Sequence, residues 1–132
     1  MSSRHFIDTR YLLYTNYPVR RTPVESFICS LDAVMYMIGG KWKLFIIWYL
    51  RDGKKRFSEL RRLIPQITQK MLTQQVRELE RDNIVIRKVY AQIPPKVEYS
   101  LTDTGKKLIP VLTDLCFWAY EAAEINNFRI ET

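Results

Sequence analysis

Apolar residues recur at helical spacing from residue 31 onward. Leu31, Val34, Met35 and Ile38 stand at i, i+3, i+4 and i+7, Ser30 is placed to cap the first turn, and Gly39 and Gly40 end the segment. A second helix is expected over residues 41–51, where Trp42 and the run from Leu44 to Leu50 are apolar almost all the way round, so it must be buried on most sides. After a turn at Asp52 and Gly53 and the basic cluster Lys54, Lys55 and Arg56, a short helix starts near Ser58 and ends before Pro65. Thr68 offers an N-cap for a third strongly patterned helix whose Leu72, Val76 and Leu79 form an apolar stripe. At about 100° per residue, that stripe leaves Lys70, Thr73, Gln74, Arg77 and Arg81 on the opposite side and turns Glu78 and Glu80 to the flanks.

The period then changes from helical to alternating. Ile84, Ile86 and Tyr90 fall on one side of a strand and Arg87 on the other, and Val97, Tyr99 and Leu101 alternate with Lys96, Glu98 and Ser100. Gln92, Ile93, Pro94 and Pro95 separate the two runs; a proline pair cannot continue a ladder, so the expectation is a β-hairpin with a stiff tip and with Arg87, Lys88 and Lys96 on it. Thr102 can cap a last helix through Leu108, Leu112, Leu115, Ala119 and Ala122, with Pro110 bending or dividing it. Val111, Phe117 and Trp118 exceed what one side can bury, which points to a dimer seam. Residues 1–28 read as a basic, aromatic arm that packs on a partner subunit or touches nucleic acid. The patterned domain spans 29–125, and 126–132 is a tail.

The fold class expected is mainly α with a small β-hairpin: two short helices followed by a basic wing, a winged helix-turn-helix. Composition narrows the function. The 132 residues carry a net charge of +7, and between positions 51 and 81 nine basic residues face four acidic ones, so most of the excess surrounds the two short helices. A helix face of Lys, Thr, Gln and Arg suits a major groove, because Lys and Arg donate to guanine, Gln pairs with adenine and Thr meets a thymine methyl or a phosphate. A merely solvated face would also be charged, and the adjoining basic hairpin is what favours DNA. A winged-helix module that binds protein would present an acidic or apolar face instead. A sequence-independent nucleoid-type protein on the same fold stays open.

One histidine, His5, and two cysteines, Cys29 and Cys116, leave no material for a His-activated nucleophile or a His-rich zinc site, so neither an enzyme nor a metal or other cofactor is expected. Two cysteines are too few for a disulfide scaffold. The longest apolar run, Leu44 to Leu50, is far short of the roughly 18 residues of a membrane span, and no secretory signal is legible, so a cytoplasmic, nucleoid-associated protein is expected.

Short blocks in a fixed order carry a resemblance. They are Cys29, Ile38-Gly39-Gly40-Lys41-Trp42, Arg56-Phe57-Ser58-Glu59-Leu60, Ile67-Thr68-Gln69-Lys70-Met71-Leu72-Thr73, Arg77-Glu78-Leu79-Glu80, Pro94-Pro95-Lys96-Val97-Glu98-Tyr99, Leu101-Thr102-Asp103-Thr104-Gly105 and Trp118. Over residues 29–120 the chain resembles the HxlR-type transcriptional regulators, winged-helix proteins related in architecture to the MarR regulators. The resemblance implies a homodimer, built from the N-terminal segment and the C-terminal helices, that binds a pseudo-palindromic operator on double-stranded DNA and regulates a gene, more often as repressor. It places recognition-helix contacts on Gln69, Lys70, Thr73, Gln74 and Arg77, and wing contacts around Lys88 and Lys96. Arg56 and Arg87 join them from the basic cluster and the hairpin. Gln69 lies nearer the apolar side than the projection alone would choose. Asn83 stands where the family has glycine, and asparagine tolerates the left-handed turn. Some members use the cysteine corresponding to Cys29 to sense quinones, aldehydes or oxidants. A helix N-terminus favours a thiolate there, whereas burial among Phe27, Ile28 and Leu31 would make the residue structural. Cys116, between Leu115 and Phe117, reads as core or interface filler. No small-molecule effector is legible.

Overall fold

A computed structural model describes residues 26–131 of the chain; the expectations for the arm before residue 26 lie outside the described residues. Helix α1 spans Ser30–Ile38 and α2 spans Lys43–Tyr49. A two-residue strand β1, Lys55–Arg56, leads into α3, Phe57–Leu63, and α4 runs Gln69–Arg81. The hairpin strands are β2, Val85–Tyr90, and β3, Lys96–Leu101, and the chain closes with α5, Asp103–Lys106, and α6, Leu108–Asn126. The sheet is antiparallel with order β1-β3-β2.

The core forms where α2, α3 and α4 converge on the root of the hairpin. Ile46 and Ile47 of α2 with its C-cap Leu50, Leu60 of α3 and the Leu72, Val76, Leu79 stripe of α4 meet Ile84, Val85, Tyr99 and Leu101. The segment between α3 and α4 is held to this core by Ile64 and Ile67, both buried on either side of Pro65. Thr68 caps α4 as its position suggested, its hydroxyl oxygen accepting from the Met71 N–H at 3.0 Å.

Several expectations are corrected. Cys29, not Ser30, is the N-cap of α1, and it makes no side-chain capping bond. The face of α1 that turns inward carries Asp32 and Tyr36, with Ile38 partly buried against the core, while Leu31 and Val34 of the expected stripe are exposed. Helix α2 is shorter than expected, and inside its apolar run Lys43 is fully buried while Phe45 is half-exposed. In β2, Val85 is the inward residue, and Ile86 alternates onto the outer face with Lys88 and Tyr90 and is exposed. The last helix divides at Lys107, ahead of Pro110, and Leu115, expected on the inward stripe, is exposed. Strand β1 had no sequence signature; two residues cannot show a period.

The root of the wing is a small knot of hydrogen bonds. Asn83 takes the left-handed conformation at φ 61° and turns the chain from α4 into β2. The Thr102 hydroxyl donates to the Asn83 carbonyl at 2.7 Å and accepts from the Gly105 N–H at 2.9 Å, while the Thr102 N–H donates to the Ile84 carbonyl at 3.0 Å. Glycine at 105 is required by space: a Cβ there would stand 2.4 Å from the Ile84 carbonyl oxygen. Gly105→Ala is therefore expected to lower the unfolding free energy by about 1–3 kcal/mol, the usual cost of forcing an extra methyl into a packed site. Chemical denaturation measures it, and an unchanged midpoint would show that the two backbones can separate freely.

Candidate nucleic-acid interface

Helix α4 presents its polar residues in two sectors with different fates. Gln69, Lys70 and Arg77 are exposed and Thr73 is half-exposed. Gln74, by contrast, is 6% exposed, and Gln75 and Glu78 are buried beside it. Gln74 was expected on the solvent face and is not on it. The reason is packing: α1 and α2 both lie against α4, and the Gln74, Glu78, Arg81 side of the helix faces them. Arg81 sits 5.7 Å from the Tyr36 ring of α1, and Lys43 of α2 reaches Glu78 at 2.7 Å. The open sector is thereby rotated toward Gln69.

Gln69, Thr73 and Arg77, spaced by four, line a groove of about 460 Å³ whose far wall is the hairpin. Arg87, Val97 and Tyr99 form that wall and Phe57 of α3 closes one end. The cross-strand register explains why Arg87 is there: it pairs with Tyr99, whose ring is buried, so both belong to the sheet face that looks toward α4. Glu80 also lines the groove, so the expectation that both carboxylates of α4 turn aside is corrected: one is buried with Lys43 and the other stands beside Arg77 and Arg87. The Thr73 hydroxyl donates to the Gln69 carbonyl at 2.8 Å, which leaves its oxygen lone pairs and its methyl group for a partner. Lys70 and Arg77 enter no ion pair among the described residues. Arg81 does: burial works against its charge, but two 3.2 Å contacts to the Asp82 carboxylate offset this and push its pKa upward.

The other sheet face holds a different set. Lys88 pairs with Glu98 across the strands and Tyr90 with Lys96. The Nζ atoms of Lys88 and Lys96 stand 5.0 Å and 4.9 Å from the Tyr90 ring centroid, and Lys96 and Lys54 approach Glu98 at 3.5 Å and 3.6 Å. Arg56, paired with Glu98 through β1, is exposed on this side as well. Apart from the buried Gln74, the expected DNA contacts thus divide into two groups: Gln69, Thr73, Arg77 and Arg87 in the groove with Lys70 exposed on the same helix, and Arg56, Lys88 and Lys96 on the outer face of the wing. The tip between them, residues 91–95, is exposed and uncharged, with Ile93 fully exposed.

The scan against known families matches residues 37–127 to the HxlR-like helix-turn-helix model. The chain belongs to the HxlR-like helix-turn-helix family. Among HxlR-like relatives, the HTH-type transcriptional regulator YtcD of Bacillus subtilis is 57% identical over 108 residues, covering 82% of this chain and 84% of its own. The redox regulator HypR in its reduced form superposes with a TM-score of 0.71 at 47% identity, covering 75% of this chain and 98% of that one. The quinone-bound YodB from B. subtilis does so with a TM-score of 0.61 at 36% identity, covering 70% and 97%. The winged helix-turn-helix expected from the sequence is thus the fold of this HxlR-like chain. Among the described residues no helix is long and apolar enough to cross a membrane.

Glu98 ties the outer cations of the wing together. Burial alone would raise its pKa, but a hydrogen bond from the Tyr90 hydroxyl and the charges of Lys54 and Lys96 outweigh it and hold the carboxyl below its ordinary 4.5. A depressed folded pKa stabilises the fold fully above the unfolded value and loses that contribution as the pH falls through the folded one. Glu98→Gln is expected to be less stable than wild type at neutral pH, the gap narrowing as the pH drops below 4.5. Thermal unfolding across that window measures it; a gap that does not change with pH would show that the charge contributes nothing.

Proposed function

We propose that this helix-turn-helix transcriptional regulator works as a homodimer that reads a pseudo-palindromic operator, α4 entering the major groove and the wing following the flanking backbone. The observation that carries the reading is the groove itself, where Gln69, Thr73 and Arg77 of a capped, rigid helix face Arg87 of the wing. Arg77 and Gln69 can address base edges, while Lys70 and the outer cations Arg56, Lys88 and Lys96 supply affinity through phosphate without sequence information. Dimerisation is supported by α6, where Val111, Leu115, Trp118 and Ile125 recur at spacings of four, three and seven and are all at least half-exposed. A two-fold pair would set two α4 helices about 34–36 Å apart, one turn of duplex.

Selection from random duplexes yields the operator, and titration at fixed salt tests the residues. Arg77→Ala should weaken binding to the selected duplex by about 1–3 kcal/mol and relax its sequence preference. Lys88→Ala should weaken selected and scrambled duplexes alike and reduce the salt slope by about one. A uniform loss from Arg77→Ala would remove it from base reading.

Control by electrophiles is the regulatory part of the proposal. HypR is described as a redox regulator and YodB has a quinone-bound form. Cys29 is exposed at the N-cap of α1, the helix that packs on α4, so a modified thiol would bear on the recognition helix. The Cys29 sulfur adds to a quinone ring, forming an S–C bond while the thiol proton ends on the quinone oxygen. Wild type should release the selected duplex on quinone treatment and Cys29→Ser should retain it. Equal release by both would exclude Cys29 from the response.

A further inference from the structure

The DNA-reading role assigned to α4 leaves one of its contacts without a purpose: the Lys43–Glu78 ion pair. Lys43 Nζ lies 2.7 Å from Glu78 Oε1, and the two side chains are 0% and 3% exposed. Nothing in the chemistry of reading DNA calls for a lysine sealed inside the domain, and lysine is among the residues least often found there. Stability is a weak reason for it, because two ions removed from water lose about as much hydration as they gain in attraction, and apolar side chains of similar volume usually do as well.

What the pair has that apolar contacts lack is direction. The Leu72, Val76, Leu79 seam holds α4 against the core, but aliphatic contact is non-directional and tolerates a roll of the helix about its own axis. A buried ion pair does not tolerate it, since a displacement of an ångström or two leaves both charges uncompensated. Its placement suits that purpose. At about 100° per residue Glu78 projects roughly 120° from Leu72 on one side of the seam, while Thr73 projects roughly 100° from it on the other. Fixing Glu78 therefore fixes the direction in which Gln69, Thr73 and Arg77 point. The anchoring partner belongs to α2, whose Ile46 and Ile47 are fully buried, so the reference frame is a helix packed into the core.

We infer that Lys43 and Glu78 are positioning residues for sequence recognition: their ion pair sets the rotation of the recognition helix, and with it the register of the base-reading side chains. The inference rests on the DNA-reading role proposed above. It is tested with the full-length chain and two duplexes, the one wild type selects from a random pool and a scrambled duplex of the same composition. The double variant K43M/E78L removes both charges of the pair, so that neither is left buried without the other. It is expected to keep wild-type circular dichroism, to melt near the wild-type temperature and to bind scrambled duplex as wild type does, while its preference for the selected duplex falls by about tenfold or more, the value of one misplaced base contact. A merely structural pair would move the melting temperature and leave that preference alone. Should the double variant not fold, K43L/E78M, which likewise removes both charges with apolar side chains, carries the same measurement. A folded variant with an undiminished preference overturns the inference, and so does failure of both variants to fold, which would make the pair a stability element. If wild type selects no sequence at all, it is the DNA-reading role that fails.

Discussion

Helix α4 has to be two things along one cylinder: a wedge driven into the core and a surface left open to a partner. Its Leu72, Val76 and Leu79 are buried completely, or nearly so, against α2 and α3. Everything placed around that seam follows from it. The buried arc extends past the apolar stripe through Gln75, Glu78 and Gln74 because α1 and α2 lie on that flank, and only the remaining arc can face outward. Polar residues on a helix are thus no guide to which of them is free, and the neighbouring elements decide.

The same division organises charge. Around the groove the cations come from α4 and the inner face of β2, with Glu80 among them; on the outer face of the wing they gather over Tyr90 and around Glu98. Arg87 and Lys88 are sequence neighbours and belong to different groups, since successive residues of a strand point to opposite sides. The groove group is placed by packed helices and a buried tyrosine, which suits selective contacts. The outer group is held by lysines, exposed or half-exposed, around the largely buried Glu98, which suits contacts to a uniform backbone.

Much of this was legible beforehand, and the reasons differ by element. The start of α4 was marked twice, by the Thr68 cap and by the apolar stripe beyond it. The wing was marked by alternation on either side of a proline pair, and Asn83 by its tolerance of a left-handed turn. What escaped detection depends on partners distant in sequence. Lys43 carries no local mark of its burial, because its partner stands 35 positions away on another helix. Gln74 looked like a DNA contact because nothing local announces that α1 covers its side. Leu115 looked inward because the helix projection cannot tell a face that meets its own core from one left for another molecule.

The wing combines a fixed root with a free end. Thr102, Asn83 and Ile84 lock both strands to the body where α5 begins, and no substituent fits between Gly105 and the Ile84 carbonyl. The end, from Ala91 to Pro95, touches nothing among the described residues that would bury it. Such an arm behaves as a cantilever, and its deflection grows with distance from the clamp. In the DNA-reading role proposed above, the helix and the wing would then differ in tolerance: the helix would accept only duplexes that fit its fixed geometry, and the wing would bend to follow whatever groove width the flanking sequence presents.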